Sequence, residues 1–373
     1  SVVTAMAKYH STEMMRDLIN HGMDIAGGRG IQWGPRNFLA LPYQSTPIAI
    51  TVEGANILTR SLMIFGQGAM RCHPYLYEEL QAIQAEDKEK GLQEFDGLFF
   101  AHAGHTLGNM SSAVFQALLG TYLSDAPANA DAFSSPWYRL INRYSAVLAS
   151  TSDVALALLG GDLKRRELLS ARLGDVHSQL LIACAILKYH ATLPRDEAND
   201  AHAHYALRRA FSLAHNSLEA FYRNFGFYGI GHVLKRLFFP FGRPCKAQAP
   251  GDEQIRTLGE IIMSPSSVRD ALAQPAYIPS DPDDAIGRVE ATYNKLLEVE
   301  PAWLAFLKAD GKGQLDGNSV LEKLNDAAGK GIISEDQVEA VNEYDAMRYD
   351  CLLTDAFDKN LKKVKVHAER PIM

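Results

Sequence analysis

Cysteine is scarce and unpaired in this chain: the four residues Cys72, Cys184, Cys245 and Cys351 lie far apart and form no CxxC pair. That indicates neither a zinc ribbon nor a disulfide framework, and it fits a reducing cytoplasm. Positive charge is in deficit, with 37 Lys and Arg against 44 Asp and Glu, a net charge of -7 and a pI near 6.0. A nucleic-acid binder needs a concentrated basic face, so no nucleic-acid partner is expected. No apolar run reaches the roughly 18 to 20 residues of a spanning helix, and no charged-then-apolar leader opens the chain. Alternating apolar and polar stretches, the mark of half-buried strands, are rare. The chain starts on Ser1 and enters helix-like sequence at once, so we expect further sequence N-terminal to it.

Hydrophobic residues make up 47% of the 373 positions, enough to bury a large core and to expect two domains. Residues 2 to 25 space Met6, Met14, Met15, Leu18, Ile19 and Ile25 in steps of three and four, which predicts an amphipathic helix. It ends at Gly27-Gly28-Arg29-Gly30. Those glycines suit either a helix C-cap or close approach of the backbone to a bound phosphate or ring, because they carry no Cβ to collide. Pro35, Pro42 and Pro47 predict an ordered loop over 31 to 47.

The loop leads to Thr46 to Pro74, where one acid, Glu53, stands among apolar and small neighbours. An unpaired carboxylate in such surroundings has its pKa raised toward the range useful for proton abstraction, so Glu53 is the candidate base. From Ile57 onward Leu58, Leu62, Phe65 and Met70 give helical spacing, ended by Pro74. Glu53 therefore also suits the simpler role of an acid at a helix N-terminus.

Met23 to Gly30, followed by Val52-Glu53-Gly54-Ala55-Asn56 and the run ITVEGANILTRSLMIFGQGAMRCHP, resembles the end of the catalytic domain in acyl-CoA dehydrogenases. More narrowly it is similar to the long bacterial FadE type. The resemblance implies an all-α chain in which residues 1–73 end the helical domain that carries the catalytic loop, and 74–373 form an accessory C-terminal helical domain. It implies FAD as cofactor and α,β-dehydrogenation of medium- or long-chain fatty acyl-CoA to the trans-2-enoyl-CoA, as in fatty-acid β-oxidation. Glu53 would remove the α-proton while a hydride passes to flavin N5. Gly27 and Gly28 would lie against FAD, Gly54 would keep the turn narrow, and Asn56 would be a further cofactor contact. Asp24, Ala55 and Ile57 stand where the commoner family pattern has a glutamine, a threonine and a polar residue. The implied partners are an electron-transfer flavoprotein or equivalent acceptor and further copies of the chain as a homo-oligomer. Two other readings stay open: a flavin acyl-CoA oxidase, and a non-catalytic helical module for membrane or subunit interaction, the latter fitting an isolated piece that lacks the remaining FAD and CoA contacts.

Beyond Pro74 the pattern stays helical. Phe99, Phe100, Met110, Phe115 and Leu119 predict an apolar face, and Gly104 and Gly108 a close helix crossing. His102 and His105 share an HxxH spacing, but no acidic motif accompanies them, so packing or surface roles are expected and no metal. Long helices are predicted over 137–159, 162–190 and from 196 to about 225, with His202, His204 and His215 on the surface of the last and Lys164-Arg165-Arg166 as a solvated turn. The run 225–244, FGFYGIGHVLKRLFFPFGRP, suits either an interfacial helix giving peripheral contact with the inner membrane or aromatics packed on the bundle. A connector follows, then helices over 284–299, 301–310, 317–328 and 334–357. The sequence from Asp310 to Asp316 is not a calcium loop, because Lys312 and Gln314 occupy ligand positions. The basic tail from Lys359 to Lys365 suits a disordered end or a weak lipid contact.

Overall fold

The computed structural model describes residues 2–364, and the side chains at 69, 70, 123, 363 and 364 are outside that description. The chain is all-α apart from a two-residue antiparallel pairing near its end. In chain order the helices are α1 (Val2–Ala26), α2 (Ala40–Thr51), α3 (Asn56–Leu58), α4 (Gly68–Cys72), α5 (Leu76–Gln84), α6 (Lys88–Leu119) and α7 (Ser135–Leu159). There follow α8 (Glu167–His190), α9 (Glu197–Asn224), α10 (Ile230–Phe238), α11 (Asp252–Met263), α12 (Ser267–Ala273), α13 (Ala285–Asp310), α14 (Val320–Gly329) and α15 (Glu335–Leu352). Strands β1 (Ala356–Phe357) and β2 (Lys363–Val364) complete the order. Two compact units form, one from Ser1–Ser11 with Ile50–Pro275 and the other from Thr12–Ala49 with Ala276–Met373.

The first unit is built on α7, α8 and α9. On α9 the buried residues Ala203, Leu207, Phe211, Ala214, Leu218 and Phe221 recur in steps of four and three. On α7 Trp137, Leu140, Tyr144, Val147 and Thr151 do the same. That repeat keeps one seam per helix facing its neighbours. Two hydrogen bonds fix the register: Tyr144 Oη to His215 Nδ1 at 2.9 Å and Thr151 Oγ1 to Tyr222 Oη at 2.8 Å, each spanning 71 residues. Equal offsets in the same direction mean that α7 and α9 run parallel, with the short connections turning α8 antiparallel to both. His215, expected on the surface, is thus in the core, because its spacing puts it on the seam beside Leu218.

Other expectations change for local reasons. The loop predicted over 31–47 is helical from Ala40: Pro42 falls in the first turn, where no backbone bond is lost, and Pro47 is carried inside α2. Between α3 and α4 the backbone widens into a π-helix over Thr59–Gln67. Thr59 and Ile64, five apart, are buried there while Ile57 and Leu58 are exposed, so the 3.6-residue face predicted from Ile57 does not form. The close crossing expected at Gly104 and Gly108 is absent, since both face open space. The tight approach is at Gly91, where a Cβ would meet the carbonyl oxygen of Ala82 at 2.6 Å. Phe99, Phe100 and Phe115 are consequently exposed, and α6 packs through Ala113, Gln116 and Ala117 instead. The two helices predicted on either side of Glu300 are one, α13, with Pro301 on its exposed side. The carbonyl that loses its N–H partner is that of Leu297, a residue on the exposed side of the same helix, where water can replace the bond.

Most of the apolar side chains of 225–244 belong to the first unit's core: Phe225, Leu234, Phe238 and Phe239 are buried, and Phe227, Ile230 and Leu237 pack against them. Tyr228, 98% exposed, Val233 and Phe241 point outward. A Cβ on Gly231 would lie 2.0 Å from the carbonyl oxygen of Tyr222, so only glycine lets α10 reach α9. By composition alone the segment 135–164, made of α7 and the turn after it, is long and apolar enough to cross a membrane, contrary to the expectation above. Its buried seam and the buried Arg143 and Asp153 make it the core helix of this unit.

The second unit has its own core of Val299, Trp303, Phe306, Leu324, Val341 and Tyr344 on α13 to α15. In the segment 310–316 lysines neutralise the acids: Lys323 Nζ meets Asp310 at 2.8 Å and Lys330 Nζ meets Asp316 at 3.0 Å. Lys365 of the basic tail lies outside the described residues.

Burial, followed by the charge of Arg243, pushes the His215 imidazole down to about 4 from 6.5, while Glu219 opposes the shift. The unfolded chain therefore binds a proton that the folded one excludes between these values, and stability falls as pH drops from 6.5 toward 4. We expect this group to cost about 3 kcal/mol over that window. Urea unfolding at several pH values should show the slope in the wild type and a correspondingly shallower one in His215→Gln.

Candidate functional site

The candidate base sits in a four-residue break between α2 and α3. Glu53 has φ 53° and Gly54 φ 90°, so two consecutive residues are left-handed. For glycine that conformation is free, whereas for glutamate it is strained and is held only where neighbours over-determine it. The neighbours are identifiable. Lys8 Nζ donates to Gly54 O at 3.0 Å and to Asn56 Oδ1 at 2.6 Å, and Thr59 Oγ1 donates to Gly54 O at 3.3 Å. Asn56 is buried, and its side chain anchors the loop from the inside.

Glu53 itself is exposed, as are Val52 and Ile57. The apolar enclosure expected from its sequence neighbours is not provided by the described residues of this unit, because those side chains turn outward. Lys8 was not legible as part of the site: it lies 48 residues from Asn56 on an ordinary amphipathic helix.

Gly27 and Gly28 belong to the second unit. They open the 3-10 turn Gly27–Ile31 that stops α1, with Gly27 at φ 58°. Both are exposed, and a Cβ on either would meet no atom within 4 Å. The turn is fixed by Asn37, whose Nδ2 donates to the carbonyls of Arg29 at 3.0 Å and Gly30 at 2.8 Å. Downstream, Arg36 and Arg288 share Asp350, at 2.6 and 2.8 Å.

A buried polar network forms where sequence reasoning saw only an HxxH spacing. His102 Nδ1 lies 2.8 Å from Glu79 Oε1, His73 Nε2 lies 3.0 Å from Asp153 Oδ1, and Thr106 Oγ1 donates to Asp153 Oδ2 at 2.7 Å. The partner of His102 is therefore His73, from the end of α4, and not His105, which meets Asn109 one turn along α6. Burial raises the Asp153 carboxyl, but the bonds from His73 and Thr106 and the two histidines outweigh it and hold it below the usual carboxylate range.

His73, His102 and Asp153 bring one donor atom each within 4.8 Å of one another, close enough to share a cation. The hydrogen bonds weigh against that use. His73 Nδ1 accepts the N–H groups of Tyr75 and Leu76, both at 3.2 Å, so its proton resides on Nε2, the atom facing Asp153. That nitrogen is a donor to the carboxylate and offers no lone pair to a metal. The network caps the start of α5 and ties α4, α6 and α7 together.

Residues 70–357 match the family described as acyl-CoA dehydrogenase, C-terminal, bacterial type, and the chain belongs to that family. Glu53, Gly54, Asn56, Gly27 and Gly28 all precede the matched residues. No solved structure matches the chain.

Two outcomes are expected from this geometry. Lys8→Met should release the loop, seen as faster amide hydrogen exchange at Gly54 to Asn56 with the exchange of α8 and α9 unchanged. Asp153→Ala should cost about 3 kcal/mol by urea unfolding, against about 1 for Thr106→Ala, because only the former strands the His73 donor.

Proposed function

We propose that this chain carries the base of an FAD-dependent acyl-CoA dehydrogenase that forms trans-2-enoyl-CoA from medium- or long-chain fatty acyl-CoA. Family membership supports the class. The observation that carries the finer reading is the left-handed backbone of Glu53, held in place by the bonds of Lys8 and Thr59 to Gly54. Such strain at an exposed acid stabilises nothing in the fold and is typical of groups positioned for chemistry.

In this reading Glu53 Oε takes the α-proton of the thioester, a weak acid whose removal needs a fixed and desolvated base. The desolvation would come from the bound acyl chain, since the described residues leave Glu53 open to water. FAD, when bound, supplies the acceptor for the β-hydride. Gly27 and Gly28 fit that cofactor, being exposed and free of any atom within 4 Å of a Cβ, so that a flat ring can approach the backbone. Gly54 keeps the turn narrow, and Asn56 holds it.

The same proposal includes an electron-transfer flavoprotein as acceptor, a homo-oligomer and a cytoplasmic location with peripheral contact at the inner membrane. Tyr228, Val233 and Phe241, exposed beside Lys235 and Arg236, support the membrane contact. A second reading, a non-catalytic interaction module, draws on α6, where Phe99, Phe100, Leu107, Phe115 and Leu118 are exposed along one helix.

The test is anaerobic addition of palmitoyl-CoA to the FAD-loaded full-length parent protein, since the isolated piece, lacking the remaining FAD and CoA contacts, is expected to be inactive. Wild type should bleach the flavin, and Glu53→Gln should bind FAD and substrate but bleach about 10²–10⁴-fold more slowly. Equal bleaching would return Glu53 to a structural role. Failure of the protein to hold FAD would favour the interaction module.

A further inference from the structure

Helix α6 carries an apolar face that no described residue covers. Gly97, Ala101, Gly104, Gly108, Ser111 and Phe115 are all exposed and recur in alternating steps of four and three, the repeat of a seam that faces another helix. Phe100, 72% exposed, and Leu107, 65% exposed, form a ridge along one side of that seam. Leu118 and Leu119 continue the apolar surface to the end of the helix. The opposite side of α6 is the one committed to the fold, through Ala113, Gln116 and Ala117 and through His102 and Thr106 in the acid network.

No described neighbour requires the glycines of this seam. A Cβ on Gly97, Gly104 or Gly108 would meet no atom within 4 Å, and glycine in a helix interior is destabilising relative to alanine. Their missing side chains become useful where a second helix comes close to the backbone. The charge pattern selects the approaching surface. From Gly97 to Ser124 there is no Lys, Arg, Asp or Glu, in a chain of net charge -7. This face therefore meets a copy of itself with no like charges in contact. The large side chains named and the small residues between them present on the order of 700 Å². That exceeds the largest apolar patch of a typical monomer, about 300–600 Å², and approaches the roughly 800 Å² per partner of a stable interface.

We propose that α6 pairs with α6 of a second copy of this chain, antiparallel and about a two-fold axis at the level of Thr106. Large residues then meet small ones: Phe115 of each copy falls over Gly97 of the other, Gly104 over Gly108, and Leu107 lies beside its own counterpart. Such a contact is self-complementary, since each copy offers the same ridge and the same groove, and it closes at two copies. The opposed helix directions also set the two dipoles favourably. The pairing names the contact for the homo-oligomer of the reading above and rests on that part of it alone, not on the chemistry at Glu53.

Site-directed cross-linking in the full-length parent protein tests the contact. Leu107→Cys, treated with a short bis-maleimide, should give a covalent dimer on a denaturing gel in about tenfold higher yield than wild type, whose native cysteines set the background. Phe99→Cys, exposed on α6 but off the seam, should stay near that background. Adding Gly104→Leu to Leu107→Cys should lower the dimer yield about tenfold. The far-ultraviolet circular dichroism should not change, because the new side chain enters open space. Equal cross-linking of Phe99→Cys and Leu107→Cys would mean random collision and overturn the pairing. So would a dimer indifferent to Gly104→Leu, or a Leu107→Cys thiol shielded from maleimide in a monomeric protein, which would assign the face to another segment or partner. Flavin bleaching retained without the cross-link removes this contact alone. A cross-link formed by protein that does not bleach removes the dehydrogenase reading and leaves the contact standing.

Discussion

The first unit depends on the register between α7 and α9. Tyr144 with His215 and Thr151 with Tyr222 are polar pairs inside an otherwise apolar seam, separated by the same interval. A shift of either helix by one residue would strand four buried polar groups, each costing on the order of 1–3 kcal/mol. The apolar residues of the seam supply most of the burial energy but tolerate several alignments. The hydrogen bonds single out one.

Positions that look independent in sequence follow from that alignment. With α7 fixed, Asp153 stands where His73 and Thr106 reach it, which holds α4 and α6. With α8 held between α7 and α9, Gly174 lies against the π-helical segment, near Ile64 and Phe65. That segment begins at Thr59, whose hydroxyl grips Gly54 beside Glu53. The strained loop thus rests, through a chain of packed contacts, on the three-helix core.

Much of the architecture was legible in the sequence because helical periodicity is local. The long helices α7, α8 and α9 were placed to within a few residues, and the break at Gly160-Gly161 was seen. The glycine turn after α1 and the loop around Glu53 were also found. What failed had a common cause. His215 looked like a surface histidine because its partner is 71 residues away, and His102 looked like a packing or surface residue because sequence shows only its own helix. The α2 helix was hidden by prolines, which signal loops unless they fall in a first turn or on an exposed side. The π-helix could not be anticipated, since its five-residue burial step follows from packing against α8.

The sequence by itself determined that the chain is helical, which family it resembles, and which acid and glycines stand in the motif that carries the resemblance. These are properties of short spacings and residue types, written within a few turns of chain. Tertiary structure alone decided that Lys8 fixes the loop of Glu53 and that His73 and His102 share two acids. Each of these joins side chains from separate elements, and such distances are set by the packing of helices whose register no local pattern encodes.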